Sequence, residues 1–162
     1  IKMRPTHKNI MYPGIGVGGY CLTKDPLMGS WGREKFFNSN NALLQSIEAV
    51  KINDNMPRAA FNFVKTKLEE LDKYGSNVTI LGISYRSDVG DTRYSPAGIF
   101  FDYLTKDGFN VNIHDPFVGY WQEKDLVIKN NINDVLSIES EIVIICTAHS
   151  YYKSIDIQIE KL

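Results

Sequence analysis

Long apolar runs are missing from this sequence. The longest, Ile142-Val143-Ile144-Ile145-Cys146, is far short of the roughly 20 apolar residues a membrane helix needs, so no membrane partner is expected. A charge of one sign is missing too. Eighteen Lys and Arg stand against 19 Asp and Glu, a formal net charge of −1, which gives no electrostatic reason to expect nucleic acid or an anionic surface. Cysteine is scarce, with two residues in 162. Two thiols make no disulfide framework, so a reducing, cytoplasmic setting is the expectation. No signal peptide is read at the start, where Ile1-Lys2-Met3-Arg4-Pro5 has no apolar core. The chain opens on Ile1 and not on methionine, so it is read as a piece of something longer. No metal site is assigned. What is present, 43% hydrophobic and 23% charged residues, is the composition of an ordinary globular protein.

Glycine is the first thing there is plenty of, and it is concentrated. Pro13-Gly14-Ile15-Gly16-Val17-Gly18-Gly19-Tyr20 leads into Cys21-Leu22-Thr23-Lys24-Asp25-Pro26. Glycines let backbone approach a bulky ligand closely. A thiol, an ammonium and a carboxylate follow, and Cys21 differs in this from Cys146, which ends an apolar run and reads as a small buried hydrophobe. As a nucleophile Cys21 needs a neighbouring base or a favoured thiolate, which Lys24 supplies if it lies close, while Asp25 can orient water or move a proton. Most free cysteines are inert, so spacing leaves both readings open. A papain-like pairing of Cys21 with His114 or His149 has no support in the local sequence or in the fold expected below. The glycines also invite a dinucleotide fingerprint. That needs a strand before it and a helix after it; Asn9 to Pro13 is a poor strand and no helical pattern follows, so the fingerprint is rejected.

Residues 1 to 37 read as a glycine-rich loop with connecting segments. Asn38-Ser39-Asn40-Asn41 is a cluster of capping types. Leu43, Leu44, Ile47 and Val50 then recur at helical spacing, and a break or kink is expected where Pro57 removes an amide. Phe61, Val64, Leu68 and Leu71 make a second stripe, closed by a glycine cap at Gly75. After a boundary near Asp72 to Ser76 the texture changes. Strands at 78–83, 110–114 and 141–147 alternate with helices at 96–104 and 133–136, the pattern of a parallel sheet with crossovers. Ser95 and Pro96 suit the start of a helix.

Gly82 to Pro96 joins the first strand to that helix, where open parallel sheets bind ligands. Arg86 and Arg93 there suit a phosphate-bearing ligand; equally, they could pair with Asp88 and Asp91 on a solvated loop. Asp115, after His114, either meets a ribose or starts a turn before Pro116. His149 lies on a strand-end loop, in reach of a ligand or, the blander reading, solvated or capping.

Taken together, Gly14-x-Gly16-x-Gly18-Gly19-x-Cys21-x-x-x-Asp25, Asn53-x-Asn55-Met56-Pro57 and Leu81-Gly82 through Asp91-x-Arg93 to Ser95-Pro96 resemble the UDP-glucose/GDP-mannose dehydrogenase family. His114-Asp115-Pro116 and Thr147-Ala148-His149 agree more weakly, and the resemblance runs through essentially the whole chain in order. It implies an α/β fold, with a cysteine loop and helical dimerisation segment in residues 1–73 and a Rossmann-like, three-layer nucleotide-sugar domain in 74–162, truncated at its end. It implies an NAD-dependent oxidation of a UDP-sugar C6 alcohol to a uronic acid, in polysaccharide biosynthesis. Cys21 would form a thiohemiacetal and then a thioester, with Asp25 assisting water and proton transfers and Lys24 as an electrostatic aid. Tyr12, Gly14, Gly16 and Gly18 match the loop that wraps the substrate, Tyr85 and Arg86 match substrate contacts, Arg93 matches an arginine that reaches NAD, and Arg4 is a further substrate candidate at unusual spacing. A homodimer through the helices is implied as well. Because the NAD fingerprint is not in these residues, residues 1–162 alone are expected to be inactive. GDP-mannose stays open as substrate, and a non-catalytic nucleotide-binding and dimerisation module stays open as function.

Overall fold

The computed structural model describes residues 5, 14–37 and 43–155. The capping cluster at 38–41, Arg4 and Tyr12 lie outside them.

Among the described residues the α-helices and strands follow in the order α1 (Tyr20–Phe37), α2 (Leu44–Glu70), β1 (Asn77–Leu81), α3 (Pro96–Lys106), β2 (Asn110–His114), β3 (Tyr120–Trp121), β4 (Leu126–Val127), α4 (Ile132–Leu136) and β5 (Ile142–Ile145). The segment expected to be loop and connections up to residue 37 is therefore largely helix. Helix α1 has no apolar stripe to announce it. It buries none of its side chains, Leu22, Met28, Trp31, Phe36 and Phe37 are exposed, and Pro26, Gly29 and Gly32 are poor helix formers.

The break expected at Pro57 is absent, and α2 runs through it for 27 residues. Val50, Pro57, Phe61, Val64 and Leu68 form one continuous buried stripe, and packing along it outweighs the one hydrogen bond that proline removes. The helix closes earlier than Gly75. Asp72 takes the left-handed conformation (φ 55°), its amide donates to the Glu69 carbonyl, and the Lys73 amide donates to the Leu68 carbonyl. That is the Schellman pattern with aspartate in the place usually given to glycine.

β1 is the centre of a three-stranded sheet of order β2-β1-β5, parallel on both sides, with Val78 facing Val111 on one side and Ile142 on the other. Alternate residues of β1 serve opposite layers, as strand periodicity requires. Val78 and Ile80 join Phe61, Val64 and Leu68 of α2 and Ala97, Phe100 and Leu104 of α3; Leu81 joins Ile132 of α4 and Tyr152. The expected α/β fold with a helical segment before a three-layer parallel-sheet domain is what forms. α3 starts as its sequence predicts, with the Ser95 hydroxyl accepting from the Ala97 amide and Pro96 in the first turn. The β3–β4 hairpin had no clear signal in the sequence; it is pinned by Trp121, buried against Phe101.

These connections bring three things to one end of the sheet: the 82–95 loop after β1, the 115–119 turn after β2 and the 146–150 segment after β5. The 14–19 loop comes to the same place from the other direction. No helix among the described residues is long and apolar enough to cross a membrane.

Candidate functional site

The glycine loop and the Asp91-x-Arg93 turn, separate in sequence, are one construction. The Gly19 amide donates to the Arg93 carbonyl at 3.2 Å. A side chain on Gly18 would put its Cβ 2.6 Å from Tyr85 Cβ and 2.7 Å from the Tyr94 carbonyl oxygen, so glycine is the residue that lets the two loops close. Gly19 itself has φ 82°, a conformation glycine adopts without strain. The guanidinium of Arg93 lies over the Tyr20 ring, 4.7 Å from its centroid, and Tyr94 meets the same ring edge-on at 5.2 Å.

Helix α2 holds the loop from the other side. Asn53 accepts from the Val17 amide through Oδ1 at 2.7 Å and donates Nδ2 to the Val17 carbonyl at 2.8 Å. Pro57 cannot supply the amide that would otherwise bond the Asn53 carbonyl, and it is beside this carbonyl that Gly16 packs, its would-be Cβ 3.6 Å from the oxygen. The only signal in the sequence for this role of Asn53 is an amide side chain four residues before a helical proline.

The loop's own bonds bear on the dinucleotide reading from a different side. A helix does follow it at Tyr20, contrary to expectation. The Val17 and Gly19 amides, which a phosphate cradle would need free, are already bonded to Asn53 and Arg93.

Cys21 is the second residue of α1 and is exposed. Lys24 and Asp25 follow at the i+3 and i+4 positions, on the same helix face. Lys24 Nζ donates to Asp25 Oδ1 at 2.5 Å. This bond, with the fields of Asp25 and Cys21, holds the ammonium above the ordinary lysine value against its desolvation. Cys146 is the contrast. It packs partly buried against the main core, and desolvation pushes its thiol up to about 12, which makes it a poor nucleophile.

On the 82–95 loop Arg93 grips Asp91 with two bonds, Nε to Oδ1 at 2.8 Å and Nη2 to Oδ2 at 2.5 Å. The pair raises the arginine and lowers the carboxyl from their ordinary values. Arg86 is exposed and makes no ion pair among the described residues. Asp88 pairs with neither arginine: it accepts from the Ser150 amide and hydroxyl, both at 2.7 Å, and this holds its carboxyl below the usual range.

His149 is neither solvated nor a side-chain cap. It is fully buried; Nδ1 accepts the Asp88 amide at 2.8 Å, and Nε2 faces Asp115 Oδ2 at 3.1 Å. Asp115 is buried as well. Its Oδ2 accepts from the Ile83 and Ser84 amides and the Ser84 hydroxyl, and Oδ1 accepts the Phe117 amide at 2.9 Å. Asp115 is thus a turn initiator and a tie between strand ends, with its lone pairs spent inside the protein and not on a ribose. Asp115 directly follows β2 and His149 lies on the segment after β5, so it is the strand order and not the local sequence that brings them together.

The match to known proteins follows the same residues. Residues 79–162 match the UDP binding domain of the UDP-glucose/GDP-mannose dehydrogenase family. The chain is 34% identical over 150 residues to a UDP-N-acetyl-D-mannosamine dehydrogenase of Methanococcus aeolicus, covering 91% of this chain and 31% of that protein. It is 33% identical over 132 residues to a GDP-mannose 6-dehydrogenase of Azotobacter vinelandii, covering 79% of this chain and 28% of that one. Among solved structures, an NDP-N-acetyl-D-galactosaminuronic acid dehydrogenase from Methanosarcina mazei superposes with a TM-score of 0.81 at 31% identity, over 91% of this chain and 32% of that one. The chain therefore spans about a third of the length of the curated relatives it matches. On the agreement of motif order, fold and family match, the chain belongs to the UDP-glucose/GDP-mannose dehydrogenase family of nucleotide-sugar dehydrogenases.

Proposed function

We propose that this chain supplies the cysteine loop and the nucleotide-sugar domain of an NAD-dependent dehydrogenase that oxidises the C6 alcohol of a UDP-sugar to the uronic acid. The observation that carries the proposal is the exposed Cys21 at the start of α1, one helical turn from the Lys24–Asp25 pair and beside the tyrosine that Arg93 covers. NAD would accept the hydrides, and the described residues offer it only Arg93, with no dinucleotide cradle, so its binding belongs to the rest of the enzyme.

What these residues would do is specific. The Cys21 thiolate adds to the carbonyl carbon of the C6 aldehyde, and the resulting oxyanion takes a proton to give a thiohemiacetal. Once that carbon is oxidised to a thioester, water attacks it, the C–S bond breaks and the thiolate leaves. Sulfur suits both steps, being nucleophile and leaving group. Asp25 accepts a proton from the attacking water, and Lys24, whose charge Asp25 secures, steadies negative charge on the substrate oxygen. Tyr12, Gly14, Gly16, Gly18, Tyr85 and Arg86 line the nucleotide-sugar side, and Arg4 is a further candidate there. Residues 1–73 and 74–162 are proposed as the two functional units, in a cytoplasmic homodimer joined through the helices. The apolar side chains that α1 and α2 leave exposed, Trp31, Phe36, Phe37, Leu44 and Phe63 among them, favour such a contact.

The test is NADH production by the full-length enzyme across UDP-glucose, UDP-N-acetylhexosamines and GDP-mannose, wild type against Cys21→Ser. The serine variant is expected to form no acid. Full activity in it refutes the mechanism, and a preference for GDP-mannose refutes the choice of UDP-sugar.

A further inference from the structure

The loop from β1 to α3 is held in a shape its own residues resist. Asp88 (φ 61°) and Tyr94 (φ 54°) both sit in the left-handed region, where a non-glycine residue persists only if its surroundings impose it. Between them lie the ion-paired Asp91 and Arg93, and the Arg93 carbonyl that accepts from the Gly19 amide. Something must fix this loop from beneath.

We infer that the buried Asp115–His149 pair is the positioning device for the 84–95 loop and, through it, for the start of the helix that carries Cys21. The geometry is a relay of hydrogen bonds across strand ends. Asp115, after β2, accepts from the backbone of Ile83 and Ser84, after β1, and so fixes where the loop leaves the sheet. His149, after β5, faces Asp115 with Nε2 and accepts the Asp88 amide with Nδ1. A ring nitrogen that accepts an amide carries no proton, so the bond to Asp88 selects the Nε2–H tautomer, and that N–H is the donor Asp115 receives. One imidazole therefore ties the loop's strained residue to the strand ends, and it does so with both nitrogens. Beyond Asp88 the Tyr85 amide donates to the Asp91 carbonyl at 2.9 Å, Arg93 binds Asp91, and Gly19 and Tyr20 rest on Arg93. His149 is fully buried and acts through the loop.

The two nitrogens can be separated by substitution. His149→Asn keeps an acceptor at the Nδ1 position and loses the link to Asp115, whereas His149→Gln keeps a donor for Asp115 and loses the acceptor for Asp88. Amide hydrogen exchange of residues 85–94 in the full-length enzyme reads the loop directly. His149→Gln is expected to exchange there roughly tenfold faster, the loss of about one hydrogen bond, and His149→Asn to stay near wild type even where both variants melt lower by a similar amount. Equal exchange in the two variants, or no change in either, overturns the inference, because a purely structural histidine would track melting temperature alone. Asp88→Gly is a second probe should the histidine variants fail to fold. Glycine keeps the left-handed backbone and the amide to His149 but drops the bonds to Ser150, so protection of 89–94 is expected to survive, and its loss would make Ser150 the anchor and refute the role given to His149.

A kinetic arm rests on the function proposed above. There, kcat/KM for the nucleotide sugar is expected to fall on the order of 10- to 100-fold in His149→Gln and to recover in His149→Asn; no recovery counts against the inference. A wild-type enzyme that makes no NADH with any of the sugar nucleotides refutes the proposed function and leaves the exchange comparison to decide on His149.

Discussion

Gly18→Ala tests whether the two loops are one construction. An alanine Cβ at this position would lie 2.6 Å from Tyr85 Cβ, 2.7 Å from the Tyr94 carbonyl oxygen and 3.0 Å from Pro96 Cδ. None of these is the far end of a flexible side chain: one atom is backbone, one is the first carbon of a side chain and one belongs to a proline ring. Relief requires either the 14–19 loop or the 84–95 loop to move. Overpacking of this kind costs roughly 1–3 kcal/mol. At this chain size each kcal/mol moves a thermal midpoint by about 2–4 °C, so the midpoint is expected to fall by roughly 2–12 °C. Gly32→Ala is the paired control. Gly32 lies in α1 with nothing within 4 Å of an added Cβ, so alanine should leave the midpoint unchanged or raise it, since glycine inside a helix costs about 0.5–1 kcal/mol relative to alanine. Thermal unfolding by circular dichroism compares the two. A Gly18→Ala protein that melts with the wild type means the loops do not close on each other as described, and the account of how Cys21 is placed fails with it.

Asn53→Ala removes both bonds to Val17 and is expected to cost about 1–3 kcal/mol, while Asn53→Asp, which keeps the acceptor but sets a carboxylate oxygen against the Val17 carbonyl, should be no more stable than the alanine variant; denaturant titration ranks the three, and equal stability of all three rejects the clamp. His114 gives a pH dependence. Burial, opposed in part by the Asn130 carbonyl and the field of Asp115, depresses its folded value below 6.5, so the unfolded chain binds the extra proton first. The stability tied to the neutral ring is present above about 6.5 and is lost as pH falls from there towards the folded value; His114→Gln should flatten that part of the profile, and an unchanged slope between pH 7 and 5 counts against the assignment.

The α/β half was legible because its signals are strong where they occur. Strands β1, β2 and β5 alternate or run apolar, and Ser95-Pro96 marks a helix start by stereochemistry. Boundary errors there stay at the ends of strands and helices, and the feature missed outright is the short β3–β4 hairpin. In the first half the physics is tertiary. Helix α1 has no stripe because its apolar residues face several directions, so a periodicity argument returns loop. Pro57 looks like a stop because the sequence shows the lost amide and not the buried stripe from Val50 to Leu68, whose Phe61, Val64 and Leu68 join the core. Asp72 in place of glycine at the end of α2 shows the same limit: its left-handed backbone is stabilised by the two amide–carbonyl bonds it completes. At the site, the thiol, ammonium and carboxylate of Cys21, Lys24 and Asp25 were visible in the sequence, but not the helix that sets them on one face. Asp115 and His149 were not readable as a pair, since nothing local says that residues 34 apart share a hydrogen bond.

That asymmetry has a physical source in where the loop's backbone groups go. A glycine run that cradles phosphate must leave its amides free, whereas this one has the Val17 and Gly19 amides committed to Asn53 and Arg93. Its glycines at 18 and 19 are there for close approach to Tyr85, Tyr94 and Pro96 and for a left-handed turn, which are packing demands. The loop is thereby fixed between α2 on one side and the 84–95 loop on the other, and the helix that starts at Tyr20 inherits that position. Because α2 also packs under the sheet through Phe61, Val64 and Leu68, the two supports of the loop share one rigid frame. The role proposed for Cys21 is better served by such a frame than by a flexible glycine tether, and its packing accounts for Gly16, Gly18 and Gly19 lying so close before one cysteine.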